Sequence, residues 1–150
     1  MANLVTYSFI AVKASLVGPN GAIIIGSDAG VAEEGITVER TEEVTTTQAG
    51  ADGVPIHMLH AGRLGRATIR LLKTSSTNAL LNAMYYLDTT DPSSHGQNTL
   101  VASWLTAGDV ITGRYTAFAK LPATTYAKEG PLMEWTFNVG MLDYLLGAGT

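Results

Sequence analysis

Between Gly62 and Leu87 the chain changes period once, and that change limits what it can fold into. The stretch reads GRLGRATIRLLKTSSTNALLNAMYYL. It opens as a strand, with Ala67, Ile69 and Leu71 on one face and Arg66, Thr68 and Arg70 on the other. After the polar break Lys73-Thr74-Ser75-Ser76-Thr77, the apolar spacing becomes helical. Leu80, Leu81, Met84 and Leu87 form the stripe, and Asn78, Asn82 and Tyr86 lie off it. Ser75, Ser76 and Thr77 are each suited to cap the first turn, because a hydroxyl accepts from an amide that has no partner within the helix. This is the only convincing amphipathic helix, over about residues 76–88. The rest reads as strand and turn, so the helix is expected to flank a β-structure.

Composition agrees. The 150 residues suit a single domain, 1–150, with a core of its own. Only 7% are aromatic, so Val, Ile, Leu and Ala must do most of the filling. Gly accounts for 16 positions, above the average of about 7%, which favours turns and bulges. There is no cysteine, which removes disulfide and thiol chemistry. The opening MANLVTYSFIAVKASLV is interrupted by Lys13 and Ser15 and lacks a basic leader, so it reads as a strand rather than a signal peptide. No segment approaches the roughly 20 apolar residues that span a bilayer. A soluble protein made in a cytoplasm-like setting is expected.

In order, Tyr7 to Val17 and Ala22 to Gly26 read as strands joined by the turn Gly18-Pro19-Asn20-Gly21. Ser27 to Gly30 reads as another turn. Gly35 to Gln48 reads as one long strand with a wholly polar face: Thr37, Glu39, Thr41, Glu43, Thr45 and Thr47. Ala49 to Pro55 is the expected flexible tip of a long hairpin, and Ile56 to Arg70 its return. After the helix come the polar loop Asp88 to Asn98 and strands at Thr99–Leu105, Val110–Leu121 and Leu132–Leu146. In the last of these, Met133, Trp135, Phe137 and Val139 share a face. Seven or eight strands and one helix predict a mainly β fold, a β-sandwich or small barrel with one flanking helix and a protruding hairpin.

Catalytic signatures are missing from this pattern. His57 and His60 are three apart, which sets them on opposite faces of a strand, and no carboxylate or cysteine nearby completes a metal site. Glu33-Glu34 and Glu42-Glu43 are adjacent pairs that diverge instead of converging on a bond. Gly62-x-x-Gly65 precedes a strand, the wrong order for a phosphate cradle. Trp104 and Trp135 read as core filling. No catalytic residue, cofactor or metal is expected, and the chain does not read as an enzyme. Thirteen acids against nine Lys and Arg give a net charge of −4, the wrong sign for a chain that grips phosphates. Arg63, Arg66, Arg70 and Lys73 make a basic cluster too thin, and too poor in aromatics, for nucleic acid. It suits a neighbouring subunit's acids at Glu39 to Glu43. Strand edges without a fence of Pro or Lys invite pairing, and rings of subunits close such edges by sharing a barrel.

Five segments together carry a resemblance: MANLVTYSF, GVAEEGITVE, GADGVPIHMLHAGRLGRATIRLLKTSSTNALL, HGQNT and KLPATTYAKEGPLMEWTF. They resemble the tail tube proteins of contractile-tailed bacteriophages, over nearly the whole chain from about Met1 to Leu146. The resemblance implies hexameric rings stacked into a hollow tube, a fold shared with type VI secretion tubes, and a long hairpin reaching neighbouring subunits. It implies a tape-measure protein inside, a contractile sheath outside, baseplate and terminator proteins at the ends, and passage of the genome through the bore. The virion tail, built in the host bacterial cytoplasm, is the implied location.

On that footing Thr37, Glu39, Thr41, Glu43 and Thr45 are expected to face the lumen, where neutral or acidic walls let a polyanion pass. Gly50, Asp52, Pro55, Arg63, Arg66 and Arg70 are expected between subunits, with the 50–55 tip ordered only on stacking. A baseplate or capsid-decoration protein with a similar sandwich is the alternative. A carbohydrate-binding sandwich would need a cluster of exposed aromatics that two Trp do not supply.

Overall fold

A computed structural model of the chain describes residues 12–26, 31–104, 108–128 and 132–147, apart from the side chains at 26 and 31–34. Residues 7–11 of the first expected strand, the 27–30 turn, the Glu33-Glu34 carboxylates and residues 148–150 lie outside the described set. The strands are β1 (Val12–Gly18), β2 (Gly21–Gly26), β3 (Val31–Arg40), β4 (Thr45–Ala49), β5 (Pro55–Leu59), β6 (Gly65–Leu72), β7 (Asn98–Trp104), β8 (Asp109–Lys120) and β9 (Leu132–Leu145). One helix, α1 (Thr77–Thr90), lies between β6 and β7. Seven strands form one antiparallel sheet in the order β2-β1-β7-β8-β9-β6-β3, and among the described residues β4 and β5 pair only with each other. The large sheet curls into a half-barrel. The mainly β, one-helix expectation holds.

Alternation in β6 and β9 builds the core. Ala67, Ile69 and Leu71 pair in register with Phe137, Trp135 and Met133, and all six side chains are buried on the same face. Removing such side chains from water is worth about 1.5–3 kcal/mol for each large one. Leu16, Ile25 and Leu100 from the other half of the sheet complete the cluster, together with Leu81 and Met84 of α1. At its centre Phe118 lies 4.9 Å from the ring of Phe137, 5.6 Å from Tyr85 and 6.0 Å from Trp135.

The helix seats on a stripe that differs from the expected one. Thr77, Leu81, Met84 and Asp88 are buried, whereas Leu80 and Leu87 are more than half exposed. The reason is Asp88. Its carboxylate is 1% exposed and accepts from the side-chain amides of Asn20, in the β1–β2 turn, and Asn98, at the start of β7. A carboxylate near a helix C-terminus opposes the helix dipole, and burying it without donors costs several kcal/mol. The two amides rotate the helix so that Asp88 faces the sheet. At the other end the Ser75 hydroxyl accepts from the Thr77 amide at 3.3 Å, while Ser76 makes no side-chain cap. Asn78 donates to the Leu72 carbonyl at 2.8 Å and accepts from the Trp135 indole at 3.0 Å, so a residue expected off the stripe fastens the helix start to β6 and β9.

Two long strands turn out to be broken. Gly35 to Gln48 divides into β3, ending at Arg40, and β4, starting at Thr45. The polar alternation therefore does not run along one strand: Thr37 and Glu39 belong to the main sheet, Thr41 and Glu43 to the bend, and Thr45 to the separate hairpin. Ile56 to Arg70 likewise divides into β5 and β6. Alternating Thr and Val sequences suit either sheet, so nothing local marks where the chain leaves one for the other. The last strand, β9, lies inside the sheet between β8 and β6.

Curvature has a local origin. On β9 the buried positions run Met133, Trp135, Phe137, Val139 and then Leu142, a step that swaps faces. β8 makes the same swap between Thr116 and Gly113, across Tyr115 at φ 53°. That left-handed conformation costs a non-glycine residue roughly 1–2 kcal/mol. Gly140 stands alongside, and a Cβ built on it would meet the Tyr115 Cβ at 2.9 Å and its carbonyl oxygen at 3.2 Å. Gly140→Ala is expected to lower stability by about 1–3 kcal/mol. In Tyr115→Gly/Gly140→Ala the loss should be smaller than the sum of the single effects. Additive losses in urea unfolding would show that the two positions do not share the constraint.

Candidate functional site

The sheet face opposite the core is polar along β3, β6, β9 and the end of β8. Cross-strand register sets its neighbours: Thr37 opposite Thr68, Glu39 opposite Arg66, Arg70 opposite Glu134, and Thr136 opposite Thr68 and Lys120. The Arg70 guanidinium lies 3.6 Å from the Glu134 carboxylate and donates to the Thr37 hydroxyl at 3.1 Å. Of the expected lumen residues, Thr37 and Glu39 share this face. Thr41 bonds through its backbone amide to the Leu64 carbonyl at 3.1 Å, Glu43 sits exposed in the bend, and Thr45 opens the arm.

That arm is β4 and β5, paired from Thr45–Leu59 to Ala49–Pro55. Val54, Ile56, Met58 and Leu59 are exposed on it, Leu59 to 82%. Its tip, expected as flexible, carries a local set of bonds: Gly50 donates to Val54 at 2.9 Å, Gly53 donates to Gly50 at 2.9 Å, and the Asp52 carboxylate accepts from the Val54 amide at 3.1 Å. Positive φ at Gly53 closes the turn. Thr47 bonds His57 at 2.8 Å and Thr46 bonds His60 at 2.9 Å, so both histidines hold strand neighbours. No group of His, Asp or Glu among the described residues could hold a metal.

The root of the arm is stitched to β9. Arg40 donates twice to the Leu142 carbonyl, at 2.8 and 3.2 Å, and Leu142 donates to the Arg63 carbonyl at 2.9 Å. Both guanidinium groups approach Asp143, Arg63 at 3.3 Å and Arg40 at 3.7 Å. The Tyr144 hydroxyl donates to the Val38 carbonyl at 3.0 Å, and its partial burial pushes the phenol above its ordinary value of 10.0, with Arg40 opposing the shift. Arg63 and Arg70, expected to meet acids between subunits, thus have acid partners within the chain. Arg66 has Glu39 as its register partner.

A sequence model described as the bacteriophage PhiTE tail tube protein matches residues 4–147. The chain belongs to that tail tube family. The family is structural rather than enzymatic, and its members are components of the virion tail. Solved contractile injection systems contain similar folds. The chain resembles a protein in the sheath–tube complex of the extracellular system PVC, in its extended state, with 12% identity, a TM-score of 0.53 and coverage of 89% of this chain and 88% of that one. It also resembles one in the PVC sheath/tube terminator, with 11% identity, a TM-score of 0.58 and coverage of 96% and 99%. A third is in the anti-feeding prophage cap that terminates its tube, with 10% identity, a TM-score of 0.58 and coverage of 98% and 95%. At these identities the likeness is one of fold. No curated protein matches the sequence.

The contacts of Glu134, Asp143 and Arg40 were not visible in the sequence. Their partners lie on strands whose adjacency depends on sheet order, and no spacing along the chain reveals that order. The anchor also separates two kinds of bond. Arg40→Ala removes two charge-assisted bonds to a main-chain carbonyl and is expected to cost about 1.5–3 kcal/mol. Arg63→Ala removes an exposed ion pair worth about 0–1 kcal/mol. Equal losses in chemical denaturation would show that the ion pairs carry the anchor.

Proposed function

We propose that this tail tube protein acts as one domain whose copies form six-membered rings, stacked into the hollow tube through which phage DNA leaves the virion. The observation that carries the reading is the arm. A two-stranded hairpin is marginal in water on its own, and this one exposes Val54, Ile56, Met58 and Leu59. Such a hairpin suits burial against a neighbouring copy, which would take up Gly50, Asp52 and Pro55 at the contact. The polar outer face of β3, β6, β9 and β8 faces the bore, with Thr37 and Glu39 among its lining. Thr41, Glu43 and Thr45 follow the arm toward the next subunit.

In this reading a tape-measure protein occupies the bore during assembly in the host cytoplasm. A sheath encloses the tube, and baseplate and terminator proteins bound its ends. The presence of sheath–tube and terminator assemblies among the similar folds supports that arrangement. Purified protein examined by negative-stain electron microscopy over a concentration series is expected to give hollow filaments or stacked six-fold rings. Closed oligomers that never stack, at any concentration and with tube initiators added, would favour a baseplate or decoration role and overturn the proposal.

A further inference from the structure

The polar sheet face carries arginines among its described residues, although the chain as a whole carries −4. Among its described side chains, Arg66, Arg70 and Lys120 stand against Glu39 and Glu134. Guanidinium groups are well matched to phosphate, which they bind in the same forked geometry that they use for carboxylate. Arginines facing DNA attract its phosphates unless they are already occupied.

The positions of the acids answer that problem. On β6, Arg66 and Arg70 are four residues apart on one face, and each has a glutamate as its direct cross-strand partner: Glu134 on β9 for Arg70, Glu39 on β3 for Arg66. For Arg70 the relation is realised as a 3.6 Å ion pair, reinforced by the bond to Thr37. Opposite charges directly across an antiparallel pair attract, but an exposed pair of this kind adds little to stability. Stability therefore gives little reason for a glutamate set directly opposite each of these arginines.

We propose that Glu39 and Glu134 mask Arg66 and Arg70 and thereby turn an arginine-bearing face into one that a polyanion passes without being retained. The two glutamates are specificity-determining residues whose task is to prevent binding. With both removed, the face carries three uncompensated bases per subunit. Counterion release then predicts that the slope of log K against log salt steepens by about 1.8 for each subunit engaged. The masking belongs to the subunit. Only its use in the bore rests on the tube reading.

The test is fluorescence anisotropy of a labelled double-stranded DNA fragment at low salt, with wild-type protein, Glu39→Gln/Glu134→Gln, and the same variant also carrying Arg66→Gln and Arg70→Gln. The glutamines keep the shape of the exposed side chains, and circular dichroism checks the fold. The double variant is expected to bind at least about tenfold tighter than wild type, with the steeper salt dependence, and the fourfold variant to lose that gain. A folded double variant that binds no tighter than wild type overturns the masking, whether or not the protein forms tubes. Filaments of the double variant whose bound DNA is cut freely by nuclease would overturn the bore placement and leave the masking intact.

Discussion

Everything described depends on the register of β6 against β9. Pairing Ala67 with Phe137, Ile69 with Trp135 and Leu71 with Met133 puts the large side chains in one layer. The same register puts Arg66, Thr68 and Arg70 beside Asn138, Thr136 and Glu134 in the other. A slip of one residue would exchange the two layers completely. Core and polar face are therefore specified by one set of backbone bonds. The tight packing of Trp135 and Phe137, both almost wholly buried, also fixes the position of the charged groups behind them.

How far this was legible in the sequence follows from how local each feature is. The strand alternation at Ala67, Ile69 and Leu71 and at Met133, Trp135, Phe137 and Val139 could be read directly, because period two needs no knowledge of the partner strand. The single helix was legible for the same reason, but its orientation was not. Leu80 and Leu87 looked like core and Asp88 looked like surface. Two amides, from Asn20 and Asn98, reverse that ranking from distant parts of the chain.

The polar surface was legible in part. Thr37 and Glu39 were identified by their alternation, and the structure adds their partners. The break after Arg40 was invisible because Thr41 to Thr47 keeps the period of the preceding strand. β3 ends at Arg40, whose guanidinium bonds the Leu142 carbonyl 102 positions away. The arm's exposed apolar side chains are likewise a property of sheet order. Ile56 and Met58 sit on a strand with one partner strand and are exposed among the described residues.

The Asp88 junction bears on the sequence of events in folding. Helix formation is local and fast, and α1 is long enough to form transiently by itself. Its docking is another matter, since the side-chain amides that donate to the buried Asp88 carboxylate come from a turn 68 residues earlier and a strand ten residues later. Until the β1–β2 hairpin and β7 have joined, the carboxylate is better left in water. The native seat of the helix thus requires the far edge of the sheet, because both donors to Asp88 come from it.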